Sequence, residues 1–206
     1  MTRAGNADFT GNVGDFIGFA EDMMNFGYDD GQIVIPPLRV AQMEIRATTL
    51  TILASSNTVT LPSDFLELRR LYLTGNPNLK LTYVTPTQMD ATLPNSNADP
   101  QAFYTLMGGA VVLGAPVNST QTLVGGYYRK VPALSSSNTV NWLLTAFPSL
   151  YLAGACLHGA IFVGAEEDSA KWARMFTGYM RSFQKQDLKG RYSGDALQMK
   201  TDVGNP

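Results

Sequence analysis

A thiol and an imidazole two residues apart, Cys156 and His158, are the pair best suited by type to nucleophilic catalysis. That chemistry needs the two groups within hydrogen-bond reach and a third group to orient the base. On a helix, positions i and i+2 diverge by about 200°, so these side chains cannot face each other. Both also lie in the most apolar stretch of the chain, where a free Cys behaves as a small hydrophobe. Core packing is the reading. With a single His and a single Cys, neither a zinc site nor a disulfide framework is expected, and one free thiol suits a protein made in a reducing cytoplasm.

The remaining candidates are weaker. Asp29-Asp30-Gly31 resembles the start of a calcium loop, but the twelfth position from Asp29 is Val40 rather than a bidentate Glu, so a turn is expected. Asn118-Ser119-Thr120 matches a glycosylation sequon, which has no meaning without a secretory signal, and the polar run Met1 to Asn6 shows no apolar leader core. Gly108-Gly109 and Gly125-Gly126 lack the spacing and the following Lys-Ser/Thr of a phosphate-cradling loop. Arg69-Arg70 and Arg129-Lys130 read as exposed strand charges that discourage edge aggregation. No catalytic, cofactor-binding or metal-ligating set is legible, and no cofactor is expected.

The elements that carry these residues change period twice. Val13 to Phe26 has apolar residues at helical spacing, with Asn12 as a candidate cap and Gly27 as a stop. Tyr28 to Gly31 reads as a turn, and a short helical turn is expected around Pro36-Pro37. From Met43 the pattern alternates: strands are expected over Met43 to Leu53, Asn57 to Leu61, Leu66 to Leu73 and Leu79 to Val84. Thr85 as N-cap and Pro86 at N1 predict a short helix to Leu93. Phe103 to Met107 and Val111 to Leu113 flank Gly108-Gly109, a two-residue type I′ turn signal. A last strand runs over Thr120 to Lys130. Helices return at Val140 to Ala146, from Pro148, and from Glu166 to about Leu188, where acids open and bases close the helix.

The expectation is an α+β protein: a helical bundle, formed by an N-terminal helix plus C-terminal helices, with an inserted antiparallel β-sandwich or barrel-like unit of roughly six or seven strands. The expected divisions are residues 1–42, the inserted unit at 43–134, completing helices at 135–188 and an extended C-terminal tail at 189–206. The tail is turn-rich and polar apart from Arg191, Tyr192, Leu197 and Met199.

Ala146 to Ala165 contains no Asp, Glu, Lys or Arg and meets the length of a membrane span. Pro148, His158, the following acids Glu166, Glu167 and Asp168, and the lack of a cationic flank argue against one. Gly154, Ala155, Gly159 and Ala160 instead allow close helix contact, and a helix apolar all round is one enclosed by neighbours. A charged content of 16% is low, and a net charge of −2 argues against coating nucleic acid.

The stretch Leu61 to Asp90, LPSDFLELRRLYLTGNPNLKLTYVTPTQMD, orders a turn, a hairpin and a short helix. With Phe16 to Glu21, Leu38 to Glu44, Tyr127 to Leu134 and Asn141 to Thr145, it resembles the head-to-tail adaptor family of short-tailed bacteriophages, the ring-forming tail accessory factors. The likeness spans roughly Val13 to Leu188. It departs at the start, where the family would place a further helix and Met1 to Thr10 is too short and polar for one. What the resemblance implies is a structural virion protein, not an enzyme. It would be a homo-oligomeric ring, twelve-fold by family likeness, beneath the portal protein. The ring would extend the DNA channel, pass DNA without sequence-specific binding, and dock tail or nozzle proteins. The family's C-terminal segment reaches the portal, which here makes Arg191, Tyr192, Leu197 and Met199 the anchors. The residues alone leave open a small soluble enzyme or binding protein with an apolar pocket in the helical bundle, or weak membrane association through Ala146 to Ala165.

Overall fold

A computed structural model describes residues 9–75, 78–92 and 102–191. In chain order the elements are a 3-10 turn (Phe9–Asn12), helix α1 (Val13–Phe26), strands β1 (Tyr28–Asp29) and β2 (Val34–Ile35), a second 3-10 turn (Ala41–Met43), strands β3 (Glu44–Ile52), β4 (Thr58–Thr60), β5 (Phe65–Leu73), β6 (Leu79–Lys80) and β7 (Thr82–Tyr83), helix α2 (Pro86–Thr92), strands β8 (Phe103–Met107), β9 (Ala110–Leu113) and β10 (Gln121–Arg129), and helices α3 (Trp142–Ala146), α4 (Pro148–Phe162) and α5 (Glu166–Arg191). The class is α+β. The chain divides into a helical unit, up to Ala41 and from Val131 onward, and a β unit, Gln42–Lys130.

In the helical unit, α4 packs against both α1 and α5. Each helix contributes its apolar stripe: Ala20, Met23 and Met24 from α1, Leu150, Ala153 and Leu157 from α4, Phe176 and Met180 from α5. Gly27 stops α1 with φ at 79°, and its N–H bonds to the Met23 carbonyl at 2.9 Å. A Cβ there would stand 2.7 Å from the Ile35 carbonyl oxygen, so only glycine fits. Asn12 precedes α1 without a side-chain capping bond.

Two expectations for this unit need correction. The chain around Pro36-Pro37 forms no helical turn, and the 3-10 turn falls later, at Ala41–Met43. The second proline pushes Pro36 out of the helical region. The Leu38 N–H then reaches across to the Met24 carbonyl at 2.7 Å, so the segment is tied to α1 rather than to itself. Helix α5 also continues through Lys189 and Gly190 to Arg191, beyond the expected stop at Leu188. Its last turn is held by an Arg191–Asp187 ion pair at 2.9 Å, and the same carboxylate accepts the Ala41 N–H.

The β unit holds two four-stranded sheets, ordered β3-β10-β5-β6 and β4-β9-β8-β7. Neither is closed into a barrel. One apolar cluster draws on both: Ile52, Leu71, Leu73 and Leu123 from the first, Tyr104, Val111 and Leu113 from the second. Pairing is antiparallel except at β7 and β8, where Thr82 and Tyr83 run parallel to Phe103 and Tyr104. A wholly antiparallel unit was the expectation. The intervening stretch that begins with α2 is long enough for a parallel return, which a hairpin is not.

The expected single strand Leu79 to Val84 is two short ones. Leu81 turns inward, 4% exposed, and its N–H bonds to the Leu71 carbonyl, while the residues on either side pair with different sheets. Local chemistry is otherwise as read. Gly108 and Gly109 have φ of 58° and 75°, joining β8 to β9 in a two-residue hairpin. Thr85 and Gln88 form a reciprocal capping box at the start of α2, at 3.2 and 3.0 Å.

Candidate functional site

Cys156 and His158 share α4 but enter different surroundings. The His158 ring stacks on Phe19 at 4.0 Å between centroids and meets Phe16 edge-on at 5.2 Å. Burial holds the imidazole below its usual pKa, with the Asp15 charge opposing. Burial likewise pushes the Cys156 thiol up, away from the thiolate a nucleophile requires. Asp29 and Asp30 form a loop tip. The Asp30 carboxylate accepts the N–H groups of Ile33 and Gln32, which hold its pKa down, and Asp29 accepts that of Gly31. Its lone pairs serve the hairpin between β1 and β2. Among the described residues no cluster of His, Cys, Asp or Glu could hold a metal ion.

A polar network with no signature in residue spacing lies where the chain re-enters the helical unit. Glu21 and Asn25, one turn apart on α1, are buried. Asn25 Oδ1 accepts the Val131 N–H at 2.9 Å, and Glu21 Oε1 accepts the Leu134 N–H at 2.9 Å. The Tyr151 hydroxyl on α4 donates to Glu21 Oε1 at 3.3 Å and accepts from Asn141 Nδ2 at 2.6 Å. Asn141 also donates to the Pro132 carbonyl and caps α3 through the Leu144 N–H at 2.8 Å. Burial raises the Glu21 carboxyl, with the bonds from Leu134 and Tyr151 opposing, and burial raises the Tyr151 phenol. This clasp ties Val131 and Leu134 to α1, within the helical unit that resumes at Val131. Three of the sequence blocks that carry the family resemblance supply part of it, through Glu21, through Val131 and Leu134, and through Asn141, while Asn25 and Tyr151 lie outside them. Spacing alone could not reveal a partner more than a hundred residues away.

In the β unit, Gly125 and Gly126 have a comparable hidden role. They sit at a register shift of β10. A Cβ on Gly126 would meet Arg70 Nε at 3.1 Å and the Arg46 carbonyl at 3.2 Å, where Arg70 crosses the strand to donate to that carbonyl. Asp64, in the turn before β5, accepts the Tyr127 hydroxyl at 2.9 Å; burial and that bond push the phenol up to about 12.

The four small residues of α4 are not equivalent. A Cβ on Gly154 would stand 2.6 Å from Ala20 Cβ and 2.9 Å from Phe176 Cε2, so three helices converge there. Gly159 leaves ordinary van der Waals room beside Phe16, at 3.6 Å. Ala160 is buried, and Ala155 lines an open apolar groove of about 640 Å³ with Val13, Ile17, Pro148 and Leu152. Among the described residues α4 is therefore not fully enclosed: Leu152 is 63% exposed and Phe162 59%. No helix among the described residues is long and apolar enough to cross a membrane. Of the expected tail anchors, Arg191 ends α5, and Tyr192, Leu197 and Met199 lie outside the described residues.

A mixed α+β chain with its functional-looking side chains spent on packing and clasping, and with apolar helix surface left uncovered, has the character of an assembly protein. Its sequence matches the SU10 adaptor protein family over residues 1–198, and the chain belongs to that family of phage head-to-tail adaptors. A comparison with curated proteins finds no match. Membership makes it a structural protein of the virion that acts between portal and tail and that oligomerises.

Proposed function

We propose that this protein assembles as a ring, twelve-fold by family likeness, beneath the portal, extends the DNA channel and presents a docking surface to tail or nozzle proteins. The observation that carries the reading is the family match across residues 1–198. The exposed Leu152 on α4 supports it, since an apolar helix face of this kind is covered in an assembly. The protein performs no chemistry, and DNA passes without sequence-specific contact. Portal docking falls to the segment after α5, with Tyr192, Leu197 and Met199 as anchors and Arg191 at its base. Ordering a polar segment of this kind costs about 1–2 kcal/mol per residue, so a partner surface must supply the offset.

A pull-down with the portal of the same virus tests the reading, using full-length protein and a variant lacking residues 192–206. Full-length protein should be retained as a multimer and the truncated form lost. Undiminished binding by the truncated form would sink the docking role of the tail. A second reading, a binding protein for a small apolar ligand, draws on the 640 Å³ groove. Light scattering after size exclusion separates the two: a ring with portal for the adaptor, a monomer or dimer indifferent to portal for the rival.

A further inference from the structure

The outer faces of α1 and α5 carry opposite charge at matched spacing. On α1, Asp15 and Asp22 are exposed and seven residues apart, with Gly14 and Gly18 beside them. On α5, Arg174 and Arg181 are exposed at the same spacing, with Gly178 between them. Seven residues rise about 10.5 Å and return almost to the same side of a helix, so each pair forms a line two turns long. Among the described residues, none of the four has an ion-pair partner. Arg174 uses Nε on the Ala170 carbonyl of its own helix, and the Asp15 charge acts on His158.

The glycines are unexplained within one chain. A Cβ on Gly14, Gly18 or Gly178 would meet nothing within 4 Å, so neither a close approach nor a positive φ calls for glycine there. Glycine weakens a helix interior relative to alanine, and its recompense is the near approach of another backbone. Alongside α5 runs a trough of about 450 Å³ lined by Ile33, Val34, Ala170, Arg174, Gly178 and Arg181. Val34 on its edge is 60% exposed, which gives the trough an apolar rim beside its two cations.

Resting on the ring reading above, we propose that α1 of one copy lies in the trough along α5 of the next, with Asp15 and Asp22 paired to Arg174 and Arg181. Two different faces of one chain then meet, a head-to-tail contact that repeats around a closed ring. The basic line of Arg174, Arg181 and Lys185 would by itself suit phosphates of DNA. Phosphate binding accounts neither for the matched acids on α1 nor for open glycines on both helices, so a second copy is the better occupant.

Charge reversal tests this in the full chain with portal. One variant carries Asp15→Arg and Asp22→Arg, the other Arg174→Glu and Arg181→Glu. All four positions are exposed, and thermal melts check that both variants keep the wild-type fold. Wild-type protein should form rings on portal; each variant alone should lose at least about tenfold in ring yield, because like charges now face each other. An equimolar mixture should regain it in alternating rings, since the altered, basic α1 of one variant meets the altered, acidic α5 of the other, and their unaltered faces meet at the next contact. Rings from either variant alone at wild-type yield, or no recovery in the mixture, would overturn the pairing. Loss confined to the arginine variant, together with loss of duplex DNA retention, would assign the basic line to DNA and overturn it equally. The milder Asp15→Asn, Asp22→Asn protein gives an independent readout: its ring yield should lose most of its dependence on salt, and an unchanged dependence counts against the contact. If wild-type protein forms no ring on portal, the ring reading itself fails, a result distinct from all of these.

Discussion

The helical unit buries a connected polar network, although Trp142 Nε1 and His158 Nδ1 find no partner among the described residues, whereas the β unit keeps polar side chains almost wholly outside. Glu21, Asn25 and Asn141 are buried in the first and bonded to backbone or to Tyr151. Thr105 is the buried polar side chain among the described residues of the second, and its hydroxyl has no partner. A buried polar network specifies one arrangement, because every alternative leaves groups unpaired at a cost of about 1–3 kcal/mol each. An apolar cluster closed by good turns tolerates more variation. The unit with the higher demand for a unique geometry is thus the one whose faces are proposed to meet neighbouring copies.

The comparison breaks most visibly at the two cores. Leu123, fully buried in β10 within the cluster shared by both sheets, should cost about 2–5 kcal/mol as Leu123→Ala in chemical denaturation. Gly154→Leu should cost about 3 kcal/mol or more, because Ala20 and Phe176 leave no room for even a Cβ. Gly159→Leu should cost distinctly less, since only the Phe16 ring lies nearby. Equal losses at Gly154 and Gly159 would mean that α4 is not pinned at the three-helix crossing.

The same contrast decides how far each unit was readable. In the β unit the informative residues act on their neighbours in sequence: Gly108-Gly109 sets a hairpin, Thr85 and Gln88 cap a helix, and alternation from Glu44 to Ile52 marks a strand. What escaped there is non-local, namely the parallel β7–β8 pair and the change of sheet at Leu81. The β1–β2 hairpin escaped for another reason. Two residues per strand carry no period, and the side chain that builds the hairpin, Asp30, looks the same in any turn. The clasp was invisible because Glu21 and Asn25 occupy helix positions where an acid and an amide ordinarily face water. The blocks that carry the family likeness include Glu21 and Asn141 but not Asn25, and only the fold gives these residues a physical task.

Within the clasp, Asn141→Ala should fall next in size. It removes the α3 cap, worth about 1 kcal/mol, strands the Pro132 carbonyl and takes from the Tyr151 hydroxyl the bond it accepts, leaving only its donation to Glu21. A total of roughly 2–3 kcal/mol in thermal or chemical melts is expected, with the apolar cluster of the β unit untouched. A loss no larger than an exposed cap produces would show that water replaces the network without penalty.

The smallest effect sharpens the comparison through pH. The folded Glu21 carboxyl titrates above its ordinary value of 4.5, chiefly through burial, with the N–H of Leu134 and the hydroxyl of Tyr151 opposing. Between 4.5 and the raised folded value, the native state holds more of this proton than the unfolded chain does. Stability therefore falls as pH rises through that window and levels off above it. Glu21→Gln keeps an oxygen to accept the Leu134 N–H but cannot ionise. The difference in stability between Glu21→Gln and wild type should thus shift in favour of the variant as pH is raised from 4 toward neutrality. Denaturation of both proteins at several pH values measures it, and the subtraction removes carboxylates common to both. A difference that stays flat, or that shifts in favour of wild type, would mean that the clasp holds Glu21 as a stabilised anion, and that the polar interior of the helical unit is solvated rather than dry.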